Sequence, residues 1–306
     1  MKTLPSLITR VLTVITVILI VFAACKKQDD ATTSEAKEEF ADASAETDAT
    51  ADVVFDDVFD NVMGVNTEVG IGGTGIFGRA AVSTASQPPS GGRIDGVDST
   101  TCYTVVIKQM STANRFPLQI TLDFGSGCTS KDGRTRSGKI NIIYTGRLTT
   151  AGNSCTTTFD GYYIDNIKVE GTQKISNTST PDKKCFTTEV TDARLTWTNG
   201  NFSQWNSEKT ITQTDGTATP LIAADDVFSL TGQANGSIQK GDKYFEWSTA
   251  ITAPLLKRYG CHYFSKGTLT LSKGNTQVAV LDYGNGTCDN KASFTVNGVV
   301  HEITLY

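Results

Sequence analysis

Seven cysteines and two histidines are the residues of this chain best suited to nucleophilic or metal chemistry, and their placement argues against both uses. His262 and His301 have no second histidine or acid at a metal-ligand spacing such as His-x-x-x-His, so each is read as a surface or structural residue. No Gly-x-Ser-x-Gly elbow is present. The cysteines recur at repeating spacings, which suits staples better than nucleophiles. Asp123, Asp282 and Asp289 lie in loops rich in Gly and Asn, but the ligand spacing of calcium loops is missing; an Asp hydrogen-bonded to the backbone of its own turn is the simpler reading. Paired carboxylates of the kind that hydrolyse glycosides can come from anywhere in a β-fold. They are the one route to an enzyme that the sequence leaves open.

Aromatic residues are the other candidates. Trp197, Phe202, Trp205, Tyr244, Phe245 and Trp247 are spaced along expected strands, where they either fill a core or offer flat faces to a ligand. Asn199-Gly200 between two alternating runs signals a two-residue hairpin. That register pairs Trp197 with Phe202 and Arg194 with Trp205, and residues opposite one another share a face. Trp197 is then expected on the apolar face with Leu195. Trp205 lies on the other face beside Arg194, within cation–π reach, more exposed than Trp197 and the candidate ligand-binding aromatic.

These residues must be held by elements, and the first element is an address. Lys2 and Arg10 precede an apolar run from Val11 to Ala24, the length of a signal-peptide core and short of the roughly 18 residues a spanning helix needs. The run ends Val21-Phe22-Ala23-Ala24-Cys25, followed by Lys26-Lys27-Gln28-Asp29-Asp30. This resembles a lipobox, and over the first thirty residues the chain is similar to surface lipoproteins of Bacteroidetes-type bacteria. The resemblance implies cleavage before Cys25, acylation of that residue, and an acidic export tag. A plain secretory signal with a chance cysteine is the alternative.

The segments that follow differ sharply in composition. Between Lys26 and Asp60 twelve acids face three lysines, a net charge of −9 within a chain of net charge −5. With the signal at +2, residues 61–306 sum to +2, acids and bases are interspersed, and a nucleic-acid partner is not expected. Residues 25–50 are rich in Ala, Thr, Ser, Asp and Glu with Phe40 the only large apolar side chain, which predicts a disordered acidic tether. Val54, Phe55, Val58, Phe59 and Val62 recur at helical spacing and predict a short amphipathic helix over 51–63. Residues 64–98 form a Gly-rich connector. Its Gly73-Thr74-Gly75-Ile76-Phe77-Gly78 has the spacing of a dinucleotide loop but lacks the flanking strand, helix and acid that chemistry requires.

From residue 99 to 306, short runs rich in Thr, Val, Ile, Tyr and Phe alternate with Gly, Asn and Asp, as in Lys139-Ile140-Asn141-Ile142-Ile143-Tyr144. The expected fold is all-β, an antiparallel β-sandwich or barrel-like meander of roughly two hundred residues. An internal duplication spans 102–144 and 261–306. Cys102 precedes Leu122-Asp123-Phe124-Gly125-Ser126-Gly127-Cys128, and Cys261 precedes Leu281-Asp282-Tyr283-Gly284-Asn285-Gly286-Thr287-Cys288, with Lys131/Lys291 and Gly138/Gly298 at matching offsets. Six cysteines beyond Cys25 allow fifteen pairings. Equivalent units should use equivalent bonds, giving Cys102–Cys128 and Cys261–Cys288, with Cys155–Cys185 by elimination. The repeat resembles those of uncharacterised secreted lipoproteins of the same bacterial group, and that likeness implies no activity.

The sequence therefore describes a lipid-anchored extracytoplasmic β-module for adhesion, scaffolding or ligand binding at the outer membrane or cell surface. It is expected to be no enzyme and to use no cofactor or metal. Its partners are the membrane, through lipidated Cys25, and a carbohydrate or protein ligand; a secreted polysaccharide hydrolase with paired carboxylates is the alternative. Labelled palmitate should enter the protein and Cys25→Ala should abolish the labelling. Label retained in that variant would overturn the lipoprotein reading.

Overall fold

The computed structural model describes residues 5–63, 93–94, 103–130, 133–218, 225–258, 261 and 263–305, with side chains from Ser34 onward except those of 93–94. One helix, α1 (Pro5–Met63), precedes the strands β1 (Arg93–Ile94), β2 (Thr104–Gln109), β3 (Leu118–Asp123), β4 (Cys128–Thr129) and β5 (Thr135–Tyr144). Next come β6 (Ser154–Ile164), β7 (Ile167–Asn177), β8 (Cys185–Thr196), β9 (Phe202–Asp215) and β10 (Val227–Lys240). The last are β11 (Lys243–Arg258), β12 (Lys266–Lys273), β13 (Thr276–Asn285), β14 (Lys291–Val296) and β15 (Val299–Thr304). Neighbours in sequence are neighbours in the sheet from β1 to β15, all antiparallel, except that β4 pairs with β5 at its side. The body is thus an all-β meander, held by the period-2 alternation of its strands. In β5, for example, Arg136, Ile140, Ile142 and Tyr144 point inward while Thr135, Lys139 and Ile143 are exposed.

The inward face of this meander packs on α1. Ala41, Ala43, Ala45, Ala49 and Ala51 are buried along the helix together with Phe40, Val54, Phe55, Val58, Phe59, Val62 and Met63. The expected disordered tether therefore fails over residues 34–50, and the expected helix of 51–63 is only the last part of a longer one. Composition misleads here because the alanines are small enough for strands to approach the helix closely on several sides. The sheet, rather than the helix's own side chains, supplies the apolar partners. A polar group that burial would strand finds its bond within the turn, Thr47 Oγ1 donating to the Ala43 carbonyl at 2.6 Å. The C-terminal turn leaves carbonyls without helical partners, and Tyr144 of β5 donates its hydroxyl to that of Val62 at 2.8 Å.

The β8–β9 hairpin corrects the expected register. Phe202 pairs with Thr196, not Trp197, and Trp205 with Ala193, not Arg194. The loop holds three residues rather than two: Trp197 N donates to the Asn201 carbonyl, Gly200 N to the Trp197 carbonyl, and Gly200 takes φ 84°. Asn199 Oδ1 accepts from Asn201 N at 3.0 Å, favouring the wider turn. A slip of one residue moves every side chain to the other face. Trp205 is therefore buried, 1% exposed, while Trp197 is half-buried at the sheet's rim. Arg194 lies instead over the Phe202 ring at 3.6 Å.

The two Asp-aromatic-Gly segments form the same turn. Asp123 Oδ1 accepts from Gly125 N at 2.9 Å and Asp282 Oδ1 from Gly284 N at 2.8 Å, with Phe124 and Tyr283 buried just after the aspartates. Beyond the turn the units diverge: Gly138 lies within β5, whereas Gly298 closes the β14–β15 hairpin after Asn297. Cys261 and Cys288 are joined. Cys128 is disulfide-bonded, and its expected partner, Cys102, lies outside the described residues, as do Lys131, His262 and the connector up to residue 92.

Cys155 and Cys185, by contrast, are free thiols, so the bond assigned by elimination does not form. Cys155 sits on β6 and Cys185 on β8 with β7 between them. Two strand spacings separate their backbones by about 10 Å, beyond the roughly 7 Å a disulfide can span. Burial pushes the Cys155 thiol far above its ordinary value, which removes the reactive thiolate. Alkylation of the native protein without reductant should leave Cys155 unlabelled, and labelling after denaturation should modify both Cys155 and Cys185. A peptide linking these two residues would contradict this structure.

Candidate functional site

Two features stand out where α1 meets the sheet, one open to solvent and one sealed. The open one follows a stripe on α1 that the sheet leaves uncovered. Asp42, Glu46, Thr50 and Val53 recur every three or four residues and stay exposed or half-buried while their neighbours are covered, because such positions share one helical face. Along the stripe lies a groove of about 650 Å³. Its walls include Glu46 and Thr50 from the helix, Trp197 from the β8–β9 loop, Tyr263, and the turn residues Arg134 and Asp165. On one side the groove continues to Glu302–Leu305, at the end of β15. On the other it reaches Asn199, Asn201 and Lys240.

Aromatic and polar groups share this groove, a composition able to hold an extended ligand by stacking and hydrogen bonding. Its carboxylates are engaged. Asp165 accepts from Arg134 Nη1 at 3.1 Å and from Thr135 N at 2.9 Å, and Glu46 lies 3.8 Å from Lys240 Nζ. Both bonds of Asp165 secure a tight turn in which Asp165 and Asn166 adopt positive φ.

The sealed feature is a stripe of carboxylates on the helix, buried Asp48 and Asp52 with half-buried Asp56 at its edge, facing cations from the sheet. Asp52 Oδ1 contacts Lys209 Nζ of β9. Asp56 Oδ2 lies 3.0 Å from Lys257 Nζ of β11. Asp48 Oδ1 accepts from Trp205 Nε1 at 2.9 Å, and Trp205 stacks on Phe55 with centroids 5.4 Å apart. Nearby, Asp57 makes a two-pronged contact with the wholly buried Arg136 of β5. Desolvation raises the carboxyls of Asp48 and Asp52, the latter to about 7 despite Lys209, with Asp48 and Asp56 adding repulsion. Burial pulls the Lys209 ammonium down, but Asp52 and Asp48 outweigh it and hold the group above its ordinary value.

The residues singled out in the sequence are thus redistributed. Trp205 is removed from any exposed ligand surface and becomes a core residue that binds Asp48. Trp197 takes the place at the rim. His301 stacks on Phe294 at 4.8 Å, as a structural residue would. Among the described residues, no group of three or more His, Cys, Asp or Glu is placed to hold a metal ion. The sealed carboxylate cluster had a signal in the sequence, the i, i+4, i+8 spacing of Asp48, Asp52 and Asp56. That signal reads equally well as a solvated face until Lys209 and Lys257 are brought to it.

Trp205 offers a direct measure of this interface. Trp205→Phe should keep most of the stack on Phe55 but leave Asp48 Oδ1 without its donor, a loss of about 1–3 kcal/mol. Trp205→Ala should cost about 3–5 kcal/mol. Urea denaturation of both variants checks the order; equal stability of wild type and Trp205→Phe would contradict the bond. The chain matches no protein-family model, no curated protein sequence and no solved structure.

Proposed function

We propose that this chain is a lipid-anchored extracytoplasmic β-module that works by binding rather than catalysis, as an adhesive or scaffolding element at the outer membrane or cell surface. The observation that carries the reading is the continuity of α1. The same helix extends from the segment containing Cys25 to Met63, which lies in the sheet's core. At 1.5 Å per residue, the stretch from Cys25 to Phe40, the first large core side chain, spans about 22 Å, so acylated Cys25 would hold the β-body off the membrane on a short stalk. The helix occupies the inner face of the sheet, and the groove beside Trp197 and Tyr263 supports a carbohydrate or protein ligand by offering aromatic and polar groups together. The bonds of Asp165 to Arg134 and to Thr135 N tie that carboxylate to its own turn, which favours binding over a hydrolytic pair in that groove.

A photoreactive residue placed at Trp197 should capture a partner on intact cells, and the same residue at Ile143, exposed on the outward face of β5, should not. Equal capture from both positions, or none from Trp197, would remove the groove as the binding surface. Protease shaving of the same cells decides orientation: cleavage supports surface display, and an untouched protein faces the periplasm.

A further inference from the structure

Lys209 and Asp52 bring an amine and a carboxyl together where water does not reach. Lys209 is 7% exposed and Asp52 4%. The Lys209 Nζ lies 5.2 Å from the centre of the Trp205 ring, Trp205 is backed by Phe55, and Tyr283 is buried. Nζ is in contact with Asp52 Oδ1, which brings the amine beside the carboxyl group. Asp52 Oδ2 and Asp48 Oδ2 are both buried and make no hydrogen bond. On the helix stripe three carboxyls, those of Asp48, Asp52 and Asp56, face only two ammonium groups, those of Lys209 and Lys257. A buried excess of one negative charge is relieved by holding one proton.

We propose that Asp52 and Lys209 condense to an amide, an isopeptide cross-link that ties helix α1 to strand β9. The reaction begins with transfer of a proton from the ammonium to the carboxylate inside the ion pair, which low-dielectric surroundings favour because it removes two desolvated charges. Neutral Nζ then adds to Asp52 Cγ. The proton shed by the nitrogen passes to the Asp48 carboxylate, and Asp48 returns it to the departing hydroxyl, which leaves as water. One C–N bond forms, one C–O bond breaks, and Asp48 ends as it began. No oxidant, cofactor or leaving group other than water is needed.

Several observations single out this pair. Desolvation raises the Asp52 carboxyl, with Asp48 and Asp56 adding repulsion, and the neighbouring carboxylates hold Lys209 above its ordinary value, so the amine becomes nucleophilic only by passing its proton to Asp52 within the pair. Fixed contact supplies an effective concentration that reaches about 10⁵–10⁸ M in well-oriented pairs. Asp57 faces Arg136, whose guanidinium is no nucleophile here. Asp56 faces Lys257 but its side chain is 17% exposed, open to the water that the Asp52 site excludes. The inference stands on this geometry and does not depend on the binding role of the groove or on acylation of Cys25.

The full chain, purified under native conditions, then denatured and digested with trypsin, provides the test. The expected product is a branched peptide joining residues 38–79 to residues 195–240, uncleaved after Lys209 and lighter than the two peptides together by one water. Lys209→Arg should yield only linear peptides. Asp48→Ala should slow the appearance of the branch at least ten-fold in a time course after refolding. Only linear peptides from wild-type protein whose Cys261–Cys288 bond is intact, which marks a folded sample, would overturn the proposal. So would a branch at Lys257 in place of Lys209.

Discussion

An acidic helix lying against the inner face of a β-sheet has to exchange the water around each carboxylate for a partner, and this requirement organises the molecule. Lys209 on β9, Lys257 on β11 and Arg136 on β5 come from three separate strands to meet Asp52, Asp56 and Asp57. Trp205 serves Asp48 with an indole N–H. Buried ion pairs of this kind contribute little net stability over an apolar core, but losing one partner costs about 3–5 kcal/mol because the other is left charged and dry. Their effect is therefore on geometry. A helix shifted by one residue would rotate by about 100° and advance by 1.5 Å, leaving the aspartates without their cations.

The same requirement shapes the strands. The inward face of β9 carries Ser203, Trp205, Ser207, Lys209, Ile211 and Gln213, all buried, a pattern too polar for an ordinary core. It fits a helix whose covering surface alternates alanine with aspartate and threonine. Apolar packing is concentrated toward the helix C-terminus, where Phe55 meets Trp205 and Phe159, and Phe59 meets Phe186. Polar contacts interleave with them, Asp56 and Asp57 lying between Phe55 and Phe59, and the sheet must match both.

An antiparallel meander also ends in edges. β15 pairs only with β14 in the sheet order, and it exposes Val299 and Val300. Such an edge invites pairing with another chain unless it is short or charged. Here it is six residues long, and its end, Glu302–Leu305, lies along the exposed stripe of the helix. The groove and the free edge consequently share one side of the molecule, where the wrapping of the helix is incomplete.

How much of this was legible depends on whether the cause is local. Strands from Lys139 to Tyr144, the Asp-aromatic-Gly turns at Asp123 and Asp282, and the bond between Cys261 and Cys288 follow from alternation, turn chemistry and a repeat, all of which act over short stretches of chain. The face of Trp205 did not follow, because period-2 alternation is the same on both faces and one extra loop residue at Asn199-Gly200 decides between them. Cys155 and Cys185 could not be resolved by elimination, since the strand lying between them appears only when the sheet is assembled. The segment from Ser34 to Thr50 has the composition of a solvated tether. It becomes core because strands remote in sequence cover Phe40 and its alanines and bring Trp205 to Asp48, and that packing exists in the tertiary structure alone.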